Sequence, residues 1–112
     1  MTPIQLAKKY DLTVLNQADG ENRKLDGIYC CDLLSFVMGR AKENDAWITV
    51  MGNTNSIAVA VLSDVSCIIL SEGVTLDSEA LQKAISQNVC VLKTQLPTFE
   101  ISQLISKEIV AA

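Results

Sequence analysis

Residues 45–70 read DAWITVMGNTNSIAVAVLSDVSCIIL and alternate between short apolar segments and polar turns. Residues 46–51 and 66–70 are rich in β-branched or aromatic side chains and are as short as typical strands. Between them, a polar cluster at 52–56 precedes an apolar run that begins at Ile57 and ends at Leu62, which predicts a helix. A strand, a helix and a second strand with short connections predict a βαβ unit with two parallel strands.

The same alternation continues on both sides of this unit. Upstream, residues 27–30 form a predicted strand, and Asp32 is the predicted N-cap of a helix with apolar residues on one face: Leu33, Leu34, Val37, Met38 and Ala41. Downstream, Asp77 or Thr75 caps another predicted helix, a strand follows at 89–92, and a last helix begins at Pro97. The helix after Asp77 has four predicted inward residues, which are Ala80, Leu81, Ala84 and Ile85.

The amino terminus carries a helix-start pattern. Thr2 and Gln5 have the spacing of a capping box, and Pro3 lies at the first helical position. Residues 12–15 form a predicted strand, and no low-complexity tract or linker divides the chain. We therefore expect residues 1–112 to form a single three-layer α/β/α domain with a mainly parallel sheet of about four to five strands.

The composition excludes several function classes. The chain has no histidine, which excludes Ser-His and Cys-His nucleophile pairs and the usual zinc chemistry, so neither an enzyme nor a metal site is expected. Nine basic against thirteen acidic residues give a net charge of −4, and 4% of the residues are aromatic, which is unlike a nucleic-acid-binding surface. No residue pattern indicates a cofactor.

The cysteines and the apolar runs bear on localisation. Cys67 and Cys90 lie within apolar segments, where a thiol behaves as a small hydrophobic group, and no Cys-x-x-Cys pair is present. The chain also has no signal-peptide pattern and no apolar run long enough to span a membrane. We predict a cytoplasmic protein with no membrane association.

A candidate ligand site follows from the expected sheet. Ligands of open α/β sheets bind beyond the carboxyl ends of the strands, where the segments 52–56, 71–73 and 93–95 should meet. The first segment combines a glycine with polar residues at a helix amino terminus, where free N–H groups favour an anion. Thr54 or Asn55 either caps that helix only or also contacts a ligand. The candidate residues are Thr49, Gly52, Asn53, Thr54, Asn55, Ser56, Glu72 and Gly73.

Two of these candidates lie in the second segment, and each has an alternative interpretation. Gly73 is suited to a turn with positive φ, and Glu72 is either a hydrogen-bond acceptor for a ligand or a solvated turn residue. The lone Trp47 begins a strand, where packing in the core is the expected role.

The predicted helix between Ile57 and Leu62 is apolar on every side. Such a helix is buried all round, yet helices form the outer layers of a three-layer domain. A second copy of the chain would cover its outer face, and the small residues Ala58 and Ala60 permit close approach. The sequence therefore predicts a homodimer through this helix.

The segments GIYCCDLLSFVMGRA (27–41) and DAWITVMGNTNSIAVAVLSDVSCIILSEGV (45–74) resemble the DRTGG domain family. The resemblance covers about residues 14–99, and within the family the chain is most similar to short, free-standing bacterial members. Related domains occur in phosphotransacetylases, in the amino-terminal region of HPr kinase/phosphorylase and between the CBS modules of some pyrophosphatases. The resemblance implies a three-layer α/β fold, frequent dimerisation and a regulatory or ligand-sensing role rather than catalysis.

The family's signature residues are altered in this chain. The Asp-Arg pair falls near Gly52-Asn53-Thr54, where neither residue is present, and the Thr-Gly-Gly falls near residues 71–73, where Gly73 alone remains. Loss of the arginine removes a bidentate partner for phosphate, so backbone amides with Thr54, Asn55 and Ser56 would serve instead.

We therefore expect a non-catalytic regulatory domain that senses a nucleotide or a small anionic metabolite. The alternative is a protein-interaction adaptor that acts on a separate enzyme or kinase without a small-molecule ligand.

Overall fold

The computed structural model describes residues 1–110, which form five helices and five strands. In chain order these are α1 (Pro3–Tyr10), β1 (Thr13–Asn16), β2 (Gly27–Cys30), α2 (Leu34–Arg40), β3 (Asp45–Thr49), α3 (Thr54–Ser63), β4 (Cys67–Leu70), α4 (Ser78–Gln87), β5 (Val91–Lys93) and α5 (Thr98–Val110). The predicted α/β class and the mainly parallel sheet are confirmed.

The strands lie in the order β1-β5-β4-β3-β2. From β2 to β5 each strand pairs in parallel with the next one along the chain, whereas β1 pairs antiparallel with β5 at one edge. Successive crossovers that step in one direction with the usual right hand leave their helices on the same face of a sheet. This explains why α2, α3 and α4 share one layer.

Two separate cores flank the sheet. Residues of α1 and α5, such as Leu6 and Ile105, pack with Ile48 and Ile69 on one face. Residues of α2, α3 and α4 pack with Trp47, Ile68 and Val91 on the other face, because neighbouring strand residues point to opposite sides. The predicted three layers are therefore present.

The structure confirms the predictions for several single residues. Trp47 is fully buried, and its indole N–H donates to the carbonyl of Cys31 at 2.9 Å. The capping box joins Thr2 and Gln5 at the start of α1. Cys67 and Cys90 are buried free thiols, and burial raises the pKa of Cys90 to about 12 and that of Cys67 well above its ordinary value.

The prediction for Asp32 was wrong. The helix after β2 begins at Leu34, its N-cap is Leu33, and that cap makes no side-chain hydrogen bond. Asp32 instead accepts hydrogen bonds from the end of β3, which removes it from the helix. Because α2 is short and centred on the buried Val37, Leu33 and Met38 are exposed rather than inward.

Two smaller expectations also need correction, and a third is confirmed in position only. Asn53 rather than Thr54 or Asn55 caps α3, since its side-chain oxygen accepts from the N–H of Ser56 at 3.1 Å. Asp77 occupies the N-cap of α4 but makes no side-chain capping bond. Ile85 lies on the outer side of α4 and is 59% exposed, because Ala80 and Ala84 fill the inner side.

The outer side of α3 is open in the single chain. Ile57, Val59 and Ala60 are buried, whereas Val61 is 43% and Leu62 is 72% exposed. An outer face left open in one copy agrees with the sequence analysis, and its coverage by a second copy stays a prediction. None of the helices within residues 1–110 has the length and apolar character needed to cross a bilayer.

Candidate functional site

The loops that follow β3, β4 and β5 meet at the carboxyl edge of the sheet, as the sequence predicts. The N–H of Asp77 donates to the carbonyl of Gly52 at 3.0 Å and ties the first loop to the segment before α4. The N–H groups of Glu72 and Gly73 donate to Leu96 and Thr94 in the third loop. The segment 71–77 therefore joins the two groups of candidate residues.

Gly52 lies in close contact with this joining segment. A Cβ atom at Gly52 would collide with the carbonyl oxygen of Thr75, so a side chain does not fit there. This glycine serves close packing of the two loops, and it lies directly before the N-cap of α3.

Thr49, at the end of β3, is engaged inside the protein. Its hydroxyl donates to a carboxylate oxygen of Asp32 at 2.7 Å and accepts from the N–H of Met51 at 3.2 Å. The same Asp32 oxygen accepts from the N–H of Val50 at 2.9 Å. Thr49 is 1% exposed, so this arrangement fixes the start of the loop rather than presenting Thr49 to a ligand.

At the amino terminus of α3, some polar groups are hydrogen-bonded within the chain and others are free N–H donors. Asn53 caps the N–H of Ser56, and the buried Ser56 hydroxyl donates to the carbonyl of Met51. The N–H groups of Thr54 and Asn55 belong to the first turn and have no partner within residues 1–110. Asn55 is exposed, so this first turn faces solvent with free donors.

The loop after β4 has two consecutive residues with positive φ, Glu72 at 61° and Gly73 at 71°. This backbone places a carboxylate oxygen of Glu72 at 2.9 Å from the N–H of Thr98, at the start of α5. Beside it, the hydroxyls of Ser71 and Thr98 lie 2.7 Å apart. Glu72 therefore serves as an acceptor for its own chain, and Gly73 adopts the predicted turn conformation.

The carboxyl edge is poor in positive charge. Asp32, Glu72 and Asp77 place three carboxylates there, and Lys93 ends β5 at the same edge. Among the described residues, no group of three or more His, Cys, Asp or Glu side chains is placed to hold a metal ion. What the edge offers is a set of backbone donors.

Sequence reasoning missed Asp32 and Thr98 as residues of this edge. It placed Ser71 there with the segment 71–73 but did not identify the contact between Ser71 and Thr98. Asp32 follows the strand β2, so the rule that selects residues after parallel strands also selects it. Because an Asp before an apolar helical segment is typical of an N-cap, the sequence analysis assigned Asp32 to the helix instead. Thr98 lies in a helix, and no sequence pattern links it to Ser71.

The sequence matches the model of the DRTGG domain over residues 5–107. A comparison with curated proteins found no match. Among solved structures, the fold is similar to a crystal structure of the CBS and DRTGG domains of the regulatory region of Clostridium perfringens pyrophosphatase, complexed with the activator diadenosine tetraphosphate. The TM-score is 0.72 at 19% identity, over 93% of this chain and 45% of that chain. This chain therefore corresponds to less than half of that protein segment.

Proposed function

Because the chain belongs to the DRTGG domain family, we propose that it is a non-catalytic regulatory domain that senses a nucleotide or a small anionic metabolite. The site proposed for this ligand is the amino terminus of α3, at the carboxyl edge of the sheet. The pyrophosphatase regulatory region of similar fold is complexed with a nucleotide activator, which makes adenine nucleotides the first ligands to test.

The observation that carries the proposal is a difference between two helix amino termini at this edge. At the start of α5, the N–H of Thr98 donates to the carboxylate of Glu72. The start of α3 has no acidic residue in its first turn, and the N–H groups of Thr54 and Asn55 are free within residues 1–110. Because a helix amino terminus favours an anion, α3 is open to one from outside the chain.

The chemistry of the site sets the expected affinity. An anionic oxygen would accept from the N–H groups of Thr54 and Asn55, with the side chains of these two residues as further donors. An anion at such a terminus gains about 0.3–2 kcal/mol from the helix dipole. Since Asp32 and Glu72 lie at the same edge, we expect weak binding that depends on the backbone donors.

A charge substitution separates ligand binding from folding. In Asn55→Glu, a carboxylate in the first turn complements the helix dipole, so the melting temperature is expected to stay the same or rise. The same carboxylate repels a bound anion, and the affinity for adenosine diphosphate or diadenosine tetraphosphate is expected to fall at least about tenfold. Thermal shift and isothermal titration calorimetry measure the two effects.

The matched control is Gln82→Glu, the same charge change at an exposed position within α4. It should leave nucleotide affinity within about twofold of the unchanged chain, since screening weakens distant exposed charges. Equal loss of affinity in both variants, or no binding by the unchanged chain at millimolar nucleotide, would contradict the proposed site.

We also propose that two copies of the chain associate through the outer surface of α2, α3 and α4. This apolar surface consists of Met38, Val61, Leu62 and Ile85, which are 43–72% exposed. It lies on the layer in which α3 is the middle helix and packs against both α2 and α4. A two-fold pairing would place this patch against its own copy.

Light scattering after gel filtration tests this association with two closely matched exposed side chains. Leu62→Glu should shift a dimer to a monomer, because a charge would be buried at the centre of the interface. Phe99 on α5 is 73% exposed against 72% for Leu62, so Phe99→Glu should leave the dimer intact. A monomeric unchanged chain at micromolar concentration, or dissociation by both variants alike, would refute the proposed surface.

A specific observation favours the alternative function of a protein-interaction adaptor. Thr49, Ser56 and Ser71 are buried and hydrogen-bonded within the chain, so much of the polar surface near the loops is already satisfied. Nucleotides and other small anions could leave the melting temperature unchanged and produce no heat of binding. If two copies of the chain still associate through the apolar patch in that case, the adaptor function replaces ligand sensing.

A further inference from the structure

A cavity of about 190 Å³ lies at the amino edge of the sheet, opposite the proposed anion site. It opens between the carboxyl ends of α3 and α4, under the loop that carries Asp19 and Arg23. Its apolar wall consists of aliphatic side chains of α3 and of the segments that precede β4 and β5, namely Ala60, Val61, Val65 and Val89.

The loop is tied to both helix ends by polar bonds. Arg23 donates to the carboxylate of Asp64 at 3.0 Å, to the carbonyl of Asp64 at 2.7 Å and to the side-chain oxygen of Asn44 at 2.7 Å. Asn88, the C-cap of α4, donates through its side-chain amide to a carboxylate oxygen of Asp19 at 2.7 Å. These side-chain hydrogen bonds therefore fix the position of the loop at the rim of the cavity.

The electrostatics of the rim favour a positive ligand. The last turns of α3 and α4 contain no basic residue, whereas those of α1, α2 and α5 each contain one or more. Arg23 supplies the missing cation at the end of α3, but the end of α4 has the carboxylate of Asp19 beside it instead. A helix carboxyl terminus and a carboxylate both attract a cation.

Ser66 provides a second and independent observation. It lines the cavity, is 3% exposed, and has the one buried side-chain polar atom within residues 1–110 that lacks a hydrogen-bond partner. Because Cys67 faces the α1 and α5 core, the alternation of side chains turns Ser66 toward the α3 and α4 layer, where the cavity lies. A buried hydroxyl without a partner costs free energy, and a polar ligand would satisfy it.

We propose that this cavity binds a small organic monocation, a primary alkylammonium whose nitrogen donates to the carboxylate of Asp19 and to the hydroxyl oxygen of Ser66, and whose carbon chain lies along the aliphatic wall. The volume is suited to a molecule of under about ten non-hydrogen atoms, since a cavity of about 150 Å³ accommodates benzene. A divalent metal does not fit the residues, because no cluster of three metal-ligating side chains exists among those described. This site does not depend on the proposed function of the opposite edge.

The test is a titration of the full ¹⁵N-labelled chain with n-butylammonium chloride, followed by amide chemical shifts. We expect saturable shifts at Ser66, Asn88 and Val89, with an affinity on the order of millimolar. Asp19→Asn keeps an oxygen that accepts from Asn88 but removes the charge, and it should weaken binding about fivefold or more. Glu21→Gln, in the same loop but outside the cavity, should leave the affinity unchanged.

Two comparisons decide the outcome. n-Butanol has the same carbon chain without the charge, and it should produce no saturable shifts at these amides. Ser66→Ala should weaken butylammonium binding while the chain stays folded. Equal binding of butanol and butylammonium, equal effects of the Asp19 and Glu21 variants, or the absence of shifts at these amides would overturn the proposal.

Discussion

The two edges of the central sheet satisfy their polar groups in different ways. At the carboxyl edge, Thr49, Ser56 and Ser71 are buried and each has a hydrogen-bond partner within the chain. At the amino edge, Ser66 is equally buried but has none. The free donors of the carboxyl edge are exposed backbone N–H groups, whereas the unsatisfied group of the amino edge is a buried hydroxyl.

This difference separates two kinds of binding chemistry within one small domain. Parallel strands direct the amino termini of the following helices to one edge and the carboxyl termini of the preceding helices to the other. The carboxyl edge therefore favours anions and the amino edge cations. The side chains then modify each edge, as Glu72 does for α5 and Arg23 does for α3.

The largest expected difference between the edges concerns thiol reactivity. Cys30 and Cys31 lie at the carboxyl end of β2 and are exposed or half-buried, whereas Cys67 and Cys90 at the amino edge are buried. At about pH 8, a disulfide reagent should modify the first pair at least about 1,000-fold faster, since the buried pair reacts only after opening of the fold. Spectrophotometric labelling of single-cysteine variants measures each rate.

The same burial predicts a pH dependence of stability. Since burial raises the pKa of Cys90 from 9.0 to about 12, the unfolded thiol ionises first as the pH rises. Its contribution to the free energy of unfolding is therefore complete below pH 9 and is lost between about pH 9 and 12. Cys90→Ala should flatten this alkaline decline in urea denaturation, and an unchanged slope would count against the buried-thiol explanation.

Gly52→Ala tests the close contact of loops at the carboxyl edge. The new methyl group would meet the carbonyl of Thr75, so the free energy of unfolding should fall by about 2–3 kcal/mol. Gly39→Ala is the matched control, because Gly39 lies in α2 with no atom near its Cβ position. That variant should gain about 0.5–1 kcal/mol in urea denaturation. A tolerated Gly52→Ala would show that the two loops are not held together as described.

Two serine substitutions compare the edges directly. Ser71→Ala removes a buried hydroxyl that lies 2.7 Å from the hydroxyl of Thr98, and it should cost about 1–2 kcal/mol. Ser66→Ala removes a buried hydroxyl without a partner, and it should change stability by under about 0.5 kcal/mol or increase it. If both variants lose the same stability in urea, Ser66 is satisfied in solution and the contrast between the edges disappears.

The smallest expected effect concerns two helix caps at the carboxyl edge. Asn53→Ala should cost about 1 kcal/mol, because its side chain caps the N–H of Ser56. Asp77→Ala should cost about 0.5 kcal/mol or less, because Asp77 makes no capping bond and contributes only its charge near α4. Thermal unfolding of the two variants measures the difference. Equal losses would mean that the cap of α3 is not formed as described.

Features of the fold and the site that depend on periodic patterns could be predicted from the sequence. Alternation of apolar segments predicts the parallel sheet, and the position after a strand places Gly52 and Gly73 at its carboxyl edge. The interaction of Asp32 with Thr49 could not be predicted, because it joins residues 17 positions apart through a loop whose conformation no local pattern specifies. The same holds for Ser71 with Thr98, and for the cavity beside Ser66.

Whether the first turn of α3 binds an anion is tested most directly by amide chemical shifts during a titration of the ¹⁵N-labelled chain with adenosine diphosphate. We predict saturable shifts that are largest at the N–H groups of Thr54 and Asn55, and their loss in Asn55→Glu. Shifts confined to other parts of the chain, or none at millimolar nucleotide, would contradict a regulatory ligand site at this helix.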